Sequence, residues 1–164
     1  MKATILKKAF PGIYLRYMLK SIMQRSNIRK IYKKYISVKQ LDRTKWNEKF
    51  FFNIFLDKNI FFLSSYKPSH GYLIFRKILD EYEVLALATN IKNLRKGIAS
   101  KLLKRLIEKA KKEDINKVFL EVSENNIAAI KLYLKMGFCK LGCRKNYYKT
   151  SNGFQDAFIM VLKI

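Results

Sequence analysis

The sequence has too few histidine and cysteine residues to suggest a metalloprotein or a disulfide scaffold. It contains one histidine and two cysteines among its 164 residues. A protein metal site usually needs three or four histidine, cysteine or carboxylate ligands, and the sequence contains no plausible cluster of them. We therefore expect no structural or catalytic metal. Cys139 and Cys143 fall on one predicted strand, about 13 Å apart, so we expect two free thiols.

Acidic residues and long apolar runs are also scarce. Asp and Glu number 12 against 35 Lys and Arg, which gives a formal net charge of +23. Such a charge favours salt-dependent attraction to nucleic acid or acidic membranes. Codon bias is the alternative explanation, because a composition rich in Lys, Ile, Asn, Phe and Tyr is typical of AT-rich genomes. No apolar run reaches the roughly 18 residues of a membrane span, and we predict no membrane partner.

The length and the 49% hydrophobic content predict one domain with a full core. Residues 1–41 differ from the rest, because they contain eleven Lys or Arg and no Asp or Glu, with apolar residues at helical spacing. Three interpretations remain for this segment: a divergent first strand and helix, which we favour, a basic arm that binds RNA, or an organellar presequence. We accordingly separate residues 1–41 from a domain proper at residues 42–164.

The most informative stretch joins an apolar strand, residues 84–89, to an amphipathic helix through a loop with small residues, Leu94–Ala99. Small residues let the backbone approach a ligand closely, and the first turn of a helix leaves N–H groups unpaired. The helix dipole adds positive potential at the same place. We predict a phosphate or pyrophosphate site here, supported by Arg95, Lys96 and Lys101, with an ordinary strand-to-helix connection as the alternative.

The other predicted elements follow from periodicity, caps and turns. A helix capped by Asn47 carries Phe50, Phe51, Ile54 and Phe55. The remaining elements are strands at residues 60–66, 72–78, 117–123, 138–148 and 155–163, and a helix between Asn126 and Gly137. The acidic residues Asp80, Glu81 and Glu83 precede the strand at 84–89 in a predicted hairpin.

A set of short motifs carries a family resemblance. The motifs are Leu-Glu-Val at Leu120–Val122, Asn-x-Ala-Ala-Ile-x-Leu-Tyr at Asn126–Tyr133, Gly137–Phe138, Arg-x-Asn-Tyr-Tyr at Arg144–Tyr148, and Asp-Ala at Asp156–Ala157. Together they resemble the GNAT family of N-acetyltransferases, and within it the RimI-like enzymes that acetylate the N-terminal alanine of a ribosomal protein. The likeness extends from about Trp46 to the C-terminus and is dense after Val84.

The resemblance implies a fold and an activity. The fold would be a single α/β domain whose mixed, mostly antiparallel sheet contains a splayed parallel strand pair and is flanked by helices. The enzyme would transfer acetyl from acetyl-CoA to the α-amino group of a protein N-terminus, which we expect to belong to a ribosomal protein, by direct attack in a ternary complex. We expect a cytoplasmic monomer, or an organellar protein if residues 1–41 are a presequence, with possible ribosome or RNA contact through the basic surface.

The resemblance also assigns site residues. Glu121 would accept the amine proton, and Tyr133 would protonate the leaving thiolate. Glu121 lies mid-strand, where an unpaired carboxylate is costly to bury, so we expect it to face a cleft, with a structural ion pair as the alternative. Acetyl-CoA would be bound by Leu87, Thr89, Arg95, Lys96, Gly97, Ile98, Ala99, Ser100, Asn126 and Ala129. The acceptor would contact Trp46, Tyr147 and Tyr148.

One residue departs from the family pattern. Leu94 occupies the first position of the pyrophosphate motif, which is usually Arg or Gln, and we expect weaker CoA binding as a result. Two other functions compete with the leading one: acetylation of a small amine such as a polyamine or aminoglycoside, and a basic RNA- or ribosome-binding module with little or no turnover. We also expect Asp80, Glu81 and Glu83, with Asp156 near the C-terminal hairpin, to form a negative patch near the acceptor groove; a solvated hairpin is the alternative for the first three.

Overall fold

The computed structural model describes residues 26–38, 46–151 and 153–164. Six strands form one sheet in the order β1-β2-β3-β4-β6-β5. Their bounds are β1 Ile60–Ser64, β2 Gly71–Ile78, β3 Glu81–Thr89, β4 Lys117–Ser123, β5 Cys139–Thr150 and β6 Gly153–Lys163. Only β3 and β4 are parallel among these neighbours. The predicted mixed and mostly antiparallel sheet is confirmed.

Four helices accompany the sheet in the described residues. They are α1 (residues 26–37), α2 (Glu48–Ile54), α3 (Ile98–Lys112) and α4 (Ile127–Lys135). Short 3-10 turns at Pro68–His70 and Ile91–Asn93 precede β2 and α3.

Alternation along the strands divides the core into two layers. On β2, Leu73 and Phe75 join the cluster that contains the buried side of α3, whereas Tyr72 and Ile74 join the aromatic cluster of α1 and α2. The two clusters therefore lie on opposite faces of the sheet, which we call the α3–α4 face and the α1–α2 face.

Helix caps follow the sequence signals. The Asn47 side chain accepts a hydrogen bond from the Phe50 N–H at 2.8 Å and begins α2. At the end of α4, Gly137 has a φ of 91° and the Phe138 N–H donates to the Tyr133 carbonyl at 3.0 Å. This left-handed glycine after the last turn is the termination predicted from Gly137–Phe138.

The parallel pair separates part of the way along. Pairing between β3 and β4 runs from Glu81–Lys117 to Val84–Leu120. At that point Ile74 pairs with Ala86 but Phe75 pairs with Val84, which leaves Leu85 as an extra residue in β3. A bulge of this kind bends its strand. We call residues 81–84 and 117–120 the paired end, and residues 85–89 and 121–123 the open end; the predicted splayed strand pair is confirmed.

The acidic cluster lies elsewhere than expected. β3 begins at Glu81 rather than Val84, and Glu81 bonds with Lys117 at 3.4 Å at the paired end. Glu83 lies 3.8 Å from Arg76, and the Asp80 carboxylate accepts a hydrogen bond from Asn116. The prediction of a free negative patch beside the acceptor groove is wrong, because strand register carries these carboxylates away from the open end and gives each a partner.

The first segment is only partly described. Residues 1–25 and 39–45 lie outside the described residues, so the choice between divergent elements, RNA-binding arm and presequence stays open, as does the boundary at residues 41 and 42. Within residues 26–38, Ile28, Tyr35 and Val38 are buried in the aromatic cluster with Phe51 of α2. This part of the basic segment therefore contributes to the core of the domain.

Other expectations concern cysteines, metals and membranes. Cys139 and Cys143 are free thiols on exposed positions of β5, as predicted. The described residues contain no group of three or more His, Cys, Asp or Glu side chains placed to bind a metal ion. In the same part of the chain, no helix has the length and apolar character needed to cross a membrane.

Candidate active site at the open end of the parallel strands

Two helices begin at the open end of the parallel pair. β3 leads through a loop into α3, and β4 leads through a short turn into α4. Both helix N-termini therefore lie at the edge where β3 and β4 end, and both contribute positive potential there. This edge is where an open α/β sheet commonly binds its ligand.

The loop before α3 has the backbone of an anion site. Arg95 and Gly97 both adopt left-handed conformations, with φ of 59° and 72°. Gly97 is the N-cap of α3 and provides no side-chain cap, and the first turn contains no acidic residue. Helical bonding starts with the Lys101 N–H donating to the Gly97 carbonyl at 3.0 Å, so the helix itself offers no acceptor for the N–H groups of residues 98–100.

Basic side chains surround this helix start. Arg95, Lys96 and Lys101 are exposed, as is Leu94 at the position where the family usually has Arg or Gln. Backbone N–H groups and cations together suit a phosphate group without a contribution from residue 94. Residues Arg95 to Ser100 are thus adjacent at the start of α3, and their binding of acetyl-CoA stays a prediction.

Asn126 begins α4 on the other side of the open end. Its Oδ1 atom accepts a hydrogen bond from the Ala129 N–H at 3.2 Å. The residue is exposed. Its side-chain NH₂ group is not needed for this cap, so it is chemically able to bind a polar ligand as well.

Glu121 projects from the open end of β4 toward the α1–α2 face. The alternate residues Val118, Leu120 and Val122 are buried in the cluster on the α3–α4 face, so Glu121 points the opposite way. Its carboxylate lies 2.6 Å from Arg144 Nη1, and its side chain is 27% exposed. Both the expected cleft exposure and the alternative ion pair are therefore present in the structure.

Arg144 reaches Glu121 because of strand register. Arg144 pairs with Ala157 on β6, and Ala157 pairs with Ser123 on β4. Directly paired residues point to the same face, so Arg144 shares a face with Ser123 and with Glu121. The sequence marked Arg144 only as part of a motif; its contact with Glu121 depends on two strand pairings that no local pattern shows.

Tyr147 and Tyr148 lie close to this ion pair. Their ring centroids are 4.9 Å apart in an edge-to-face arrangement, and the Arg144 guanidinium carbon lies 5.0 Å from the Tyr147 ring centroid. A hydrogen bond to the Glu121 carboxylate, together with partial burial, raises the pKa of the Tyr147 hydroxyl. The structure thus brings Tyr147 and Glu121, two of the predicted site residues, to the two sides of Arg144.

Tyr133 approaches the open end from the α3–α4 face. It is buried in α4, with its ring centroid 5.8 Å from that of Phe138. Burial, followed by the influence of Tyr148, raises the pKa of Tyr133 well above its ordinary value. The hydroxyl is therefore protonated at physiological pH, as a proton donor must be. Glu121 and Tyr133 lie on opposite faces of the sheet.

The structure does not bring Trp46 to the group of side chains around Glu121. Its ring lies 6.2 Å from that of Tyr35 and 5.4 Å from that of Phe50, and the Trp46 backbone N–H donates to the Tyr35 hydroxyl at 2.6 Å. Its ring contacts among the described residues are all with the aromatic cluster of α1 and α2. Trp46 shares the α1–α2 face with Glu121, and its contact with an acceptor stays a prediction.

Fold and site together define an α/β domain with an anion-binding helix start and titratable side chains at the opening between two parallel strands. The model of the acetyltransferase (GNAT) family matches residues 26–138. The chain therefore belongs to the GNAT acetyltransferase family. The match begins before Trp46, the residue where motifs alone placed the start of the likeness, because α1 is included.

Individual relatives agree with the family assignment. A curated ribosomal protein bS18-alanine N-acetyltransferase from Escherichia coli K12 is 37% identical over 94 residues, which are 57% of this chain and 64% of that enzyme. The crystal structure of the E. coli ribosomal-protein-S18-alanine N-acetyltransferase is similar with a TM-score of 0.74 and 30% identity, covering 82% of this chain and 87% of the other. The chain thus spans about two thirds of the curated relative's length in sequence.

A further solved structure contains a ligand. The chain resembles a GNAT family acetyltransferase from Elizabethkingia anophelis with acetyl-CoA bound, at 25% identity and a TM-score of 0.53, over 58% of this chain and 69% of the other.

Proposed function

We propose that this protein transfers an acetyl group from acetyl-CoA to the α-amino group of a protein N-terminus, and that the acceptor is a ribosomal protein. The observation that carries the proposal is the open end itself. There the pairing of β3 and β4 stops, Glu121 and the buried Tyr133 lie on opposite faces of the sheet, and α3 begins beside the gap without a side-chain cap. The names of the relatives support the acceptor class.

The donor binds across the edge where α3 and α4 begin. The N–H groups of residues 98–100, with Arg95 and Lys96, bind the pyrophosphate of acetyl-CoA. The pantetheine arm enters the opening, where the backbone of Leu87 and Thr89 pairs with it as an added strand and Asn126 and Ala129 contact it from α4. β3 can accept such a partner because its pairing with β4 stops at Val84.

Glu121 and Tyr133 provide the two proton transfers. Glu121 accepts a proton from the α-ammonium group through water, and the neutral amine nitrogen attacks the thioester carbon. The nitrogen of the resulting tetrahedral intermediate loses a proton to water, and the intermediate then collapses with cleavage of the carbon–sulfur bond. Tyr133 donates its proton to the departing thiolate, and its hydroxyl is later reprotonated from solvent. No covalent acetyl-enzyme is required, because donor and acceptor meet from opposite faces.

Aromatic side chains at the Glu121 side favour a peptide over a small amine. Tyr147 and Tyr148 present an edge-to-face pair beside the carboxylate, and Tyr147 is 45% exposed. Such a pair offers apolar area and hydroxyl groups to a peptide backbone at low entropic cost. Trp46 would extend this surface on the α1–α2 face. We propose that the enzyme acts as a cytoplasmic monomer.

The activity is tested by intact mass after incubation with acetyl-CoA. Three acceptors are compared: a peptide with the free N-terminus of a ribosomal protein, the same peptide with a blocked N-terminus and one free lysine, and a polyamine. We expect acetylation of the free N-terminus only. Preferential modification of the lysine or of the polyamine would overturn the N-terminal assignment, and no turnover with any acceptor would favour the binding-module alternative.

We further propose that α1 contacts ribosomal RNA. Its outer face carries four exposed cations and residues 26–38 contain no carboxylate. None of the ion pairs in the described residues includes an α1 side chain. Like charges spaced three or four residues apart destabilise a helix, so a phosphate backbone would relieve this repulsion. The four residues are Arg29, Lys30, Lys33 and Lys34.

Matched charge variants test this contact. One variant changes the four α1 cations to Gln, and the control changes four exposed lysines elsewhere: Lys49, Lys58, Lys104 and Lys111. Both variants have the same net charge. With single-stranded RNA, we expect the α1 variant to lower the magnitude of the salt-dependence slope by about 3, because about 0.7 counterions are released per contact. Equal losses in both variants would mean that only the overall field attracts RNA.

A further inference from the structure

The acceptor side of the site contains an irregularity between β5 and β6. Arg144 pairs with Ala157 and Tyr148 pairs with Gln155, so residues 145–147 of β5 lie opposite Asp156 alone. Asn146, in the middle of this bulge, has a left-handed backbone with φ of 53°. A non-glycine residue in that conformation costs free energy and persists where neighbouring contacts offset the cost.

Asp156 supplies those contacts. Its Oδ1 atom accepts a hydrogen bond from the Asn146 N–H at 2.9 Å, and its Oδ2 atom lies 2.6 Å from Lys145 Nζ and 3.6 Å from Cys143 Sγ. The side chain is 14% exposed. The bonds from Lys145 and Asn146 lower the pKa of Asp156, so the carboxylate stays ionised.

The backbone of Asp156 is also fixed. Its N–H donates to Glu124 Oε1 at 3.3 Å, and its carbonyl accepts from the Glu124 N–H at 3.1 Å. Glu124 lies in the turn between β4 and α4, next to the open end. The bulge of β5 is therefore connected to the end of the strand that carries Glu121.

The bulge determines which way Tyr147 points. In a regular strand, side chains alternate, so Tyr147 would point to the face opposite Arg144. With the extra residues of the bulge, the Tyr147 ring instead lies against Arg144, 5.0 Å from its guanidinium carbon, and Arg144 bonds with Glu121. If Arg144 and Tyr147 only covered the edge of a surface hairpin, there would be no reason for both side chains to lie beside the Glu121 carboxylate.

We propose that Asp156 is a positioning residue for the acceptor side of the reaction. By stabilising the bulge at residues 145–147, it places Tyr147 beside Arg144, the ion-pair partner of Glu121, and so fixes the orientation in which that carboxylate meets the acceptor amine. Asp156 acts through these neighbours and does not contact the reacting atoms. This inference rests on the proposed acetyltransferase function.

Three variants separate the contacts of Asp156. Asp156→Ala removes every side-chain contact, Asp156→Asn keeps an oxygen for the Asn146 N–H but loses the charge, and Lys145→Gln removes only the ion pair. We expect Asp156→Ala to lower kcat/KM for the peptide on the order of 10- to 100-fold, because small misplacements of a reacting group are costly. The KM for acetyl-CoA should stay within about twofold. Asp156→Asn should keep most of the wild-type kcat/KM for the peptide, and the kcat/KM of Lys145→Gln should be close to that of the wild type.

A double-mutant cycle with Tyr147→Phe tests the connection directly. If Asp156 acts by placing the Tyr147 hydroxyl, the double variant Asp156→Ala/Tyr147→Phe should be no worse than Asp156→Ala alone. Additive losses would overturn the proposal. The proposal would also be overturned if KM for acetyl-CoA rose as much as KM for the peptide, or if Asp156→Asn lost as much kcat/KM as Asp156→Ala. Asp156→Ser replaces Asp156→Ala in the cycle if the alanine variant does not fold.

Amide hydrogen exchange distinguishes this proposal from the proposed function. Exchange of the Asn146 amide should accelerate at least about tenfold in Asp156→Ala and stay protected in Lys145→Gln, whether or not any peptide is acetylated. If no peptide is acetylated but this exchange pattern is observed, the proposed acetyltransferase function is refuted and the role of Asp156 in stabilising the bulge is supported. Unchanged exchange in Asp156→Ala would refute the role of Asp156 itself.

Discussion

The two ends of the β3–β4 pair have opposite properties although the same strands form both. At the paired end, the backbone pairs continuously and acidic side chains bond with basic ones: Glu81 with Lys117, and Glu113 with Lys77 and Lys109. At the open end, pairing stops after Val84 and Leu120, and the strands lead into two helix N-termini. The paired end contributes to the stability of the fold, and the open end keeps backbone groups and charged side chains accessible to a ligand.

The carboxylates illustrate the difference. Glu113 accepts hydrogen bonds from Lys77 Nζ at 3.1 Å and from the Tyr82 hydroxyl at 2.7 Å, and it also pairs with Lys109. Glu121 at the open end pairs with Arg144, a residue on a distant edge strand that is 54% exposed. A single partner on an exposed edge can be exchanged for an incoming ammonium group at small cost, whereas Glu113 is bonded to three side chains at once.

The largest effect is expected at Glu121. Glu121→Gln removes the proton acceptor but keeps the size of the side chain, so turnover with a saturating peptide should fall about 10²- to 10⁴-fold at neutral pH while acetyl-CoA affinity is retained. Steady-state kinetics and a direct acetyl-CoA binding measurement check this. The matched change at the paired end, Glu81→Gln, should leave turnover within about twofold, since its pair with Lys117 is partly exposed. If Glu121→Gln kept near wild-type turnover, Glu121 would not be the general base.

A smaller loss is expected at the helix start of the open end. Gly97 has a φ of 72°, and a Cβ atom there would meet no neighbour within 4 Å, so the cost of Gly97→Ala comes from the backbone alone. That cost is about 1–2 kcal/mol, which corresponds to roughly a 5- to 30-fold weaker acetyl-CoA affinity if the loop relaxes away from its binding conformation. Calorimetric titration with acetyl-CoA measures it. Gly142→Ala, whose Cβ would make only an ordinary contact with Ile159, is the control; equal losses in both would contradict a specific role for residue 97.

At the paired end the expected effect is on stability and its pH dependence. Bonds from Lys109, Tyr82 and Lys77 lower the pKa of Glu113 from 4.5 to about 2. Since this pKa is depressed on folding, the stabilisation is fully present above pH 4.5 and is lost as the pH falls toward 2. Glu113→Gln should lower the free energy of unfolding at pH 7 by about 1–2 kcal/mol, after allowance for solvent screening of these partly exposed groups, and the deficit should vanish near pH 2. Urea titrations at several pH values check this; a deficit that does not depend on pH would mean a loss of packing.

The smallest effect is expected from charge reversal at Asp80 and Glu81. These carboxylates are engaged with Asn116 and Lys117 at the end of the sheet away from Glu121. Asp80→Lys/Glu81→Lys should therefore leave KM for a basic N-terminal peptide within about twofold, with only a small change in stability. A KM that rises for basic but not for neutral peptides would restore these residues to the acceptor site and contradict the register of β3 and β4.

Much of the fold was predictable because its signals are local. The caps at Asn47 and Asn126, the glycine termination at Gly137 and the strand Lys117–Ser123 all follow from residue type and periodicity within a few positions. The family motifs extend this to function, since most residues proposed for acetyl-CoA binding lie at the starts of α3 and α4, and the other two, Leu87 and Thr89, lie at the end of β3.

Other features were not predictable from local signals. The local sequence around Asp80, Glu81 and Glu83 does not indicate whether these residues lie beside the acceptor or at the other end of the strand pair. Their true position depends on the pairing of Glu81 with Lys117, which are separated by all of α3. Register between distant strands is a property of the assembled sheet, so local pattern placed the cluster at the wrong end.

The sequence by itself determined the kinds of elements, their caps, the anion-binding turn and the family, because each depends on neighbouring residues or on a continuous motif. The tertiary structure decided where the parallel strands part, through the extra residue Leu85 in β3. It also decided that Arg144 and Tyr147 meet Glu121, through the pairing of β4, β5 and β6 and the bulge opposite Asp156. These contacts join residues far apart in the chain, and only the packing of the sheet brings them within bonding distance.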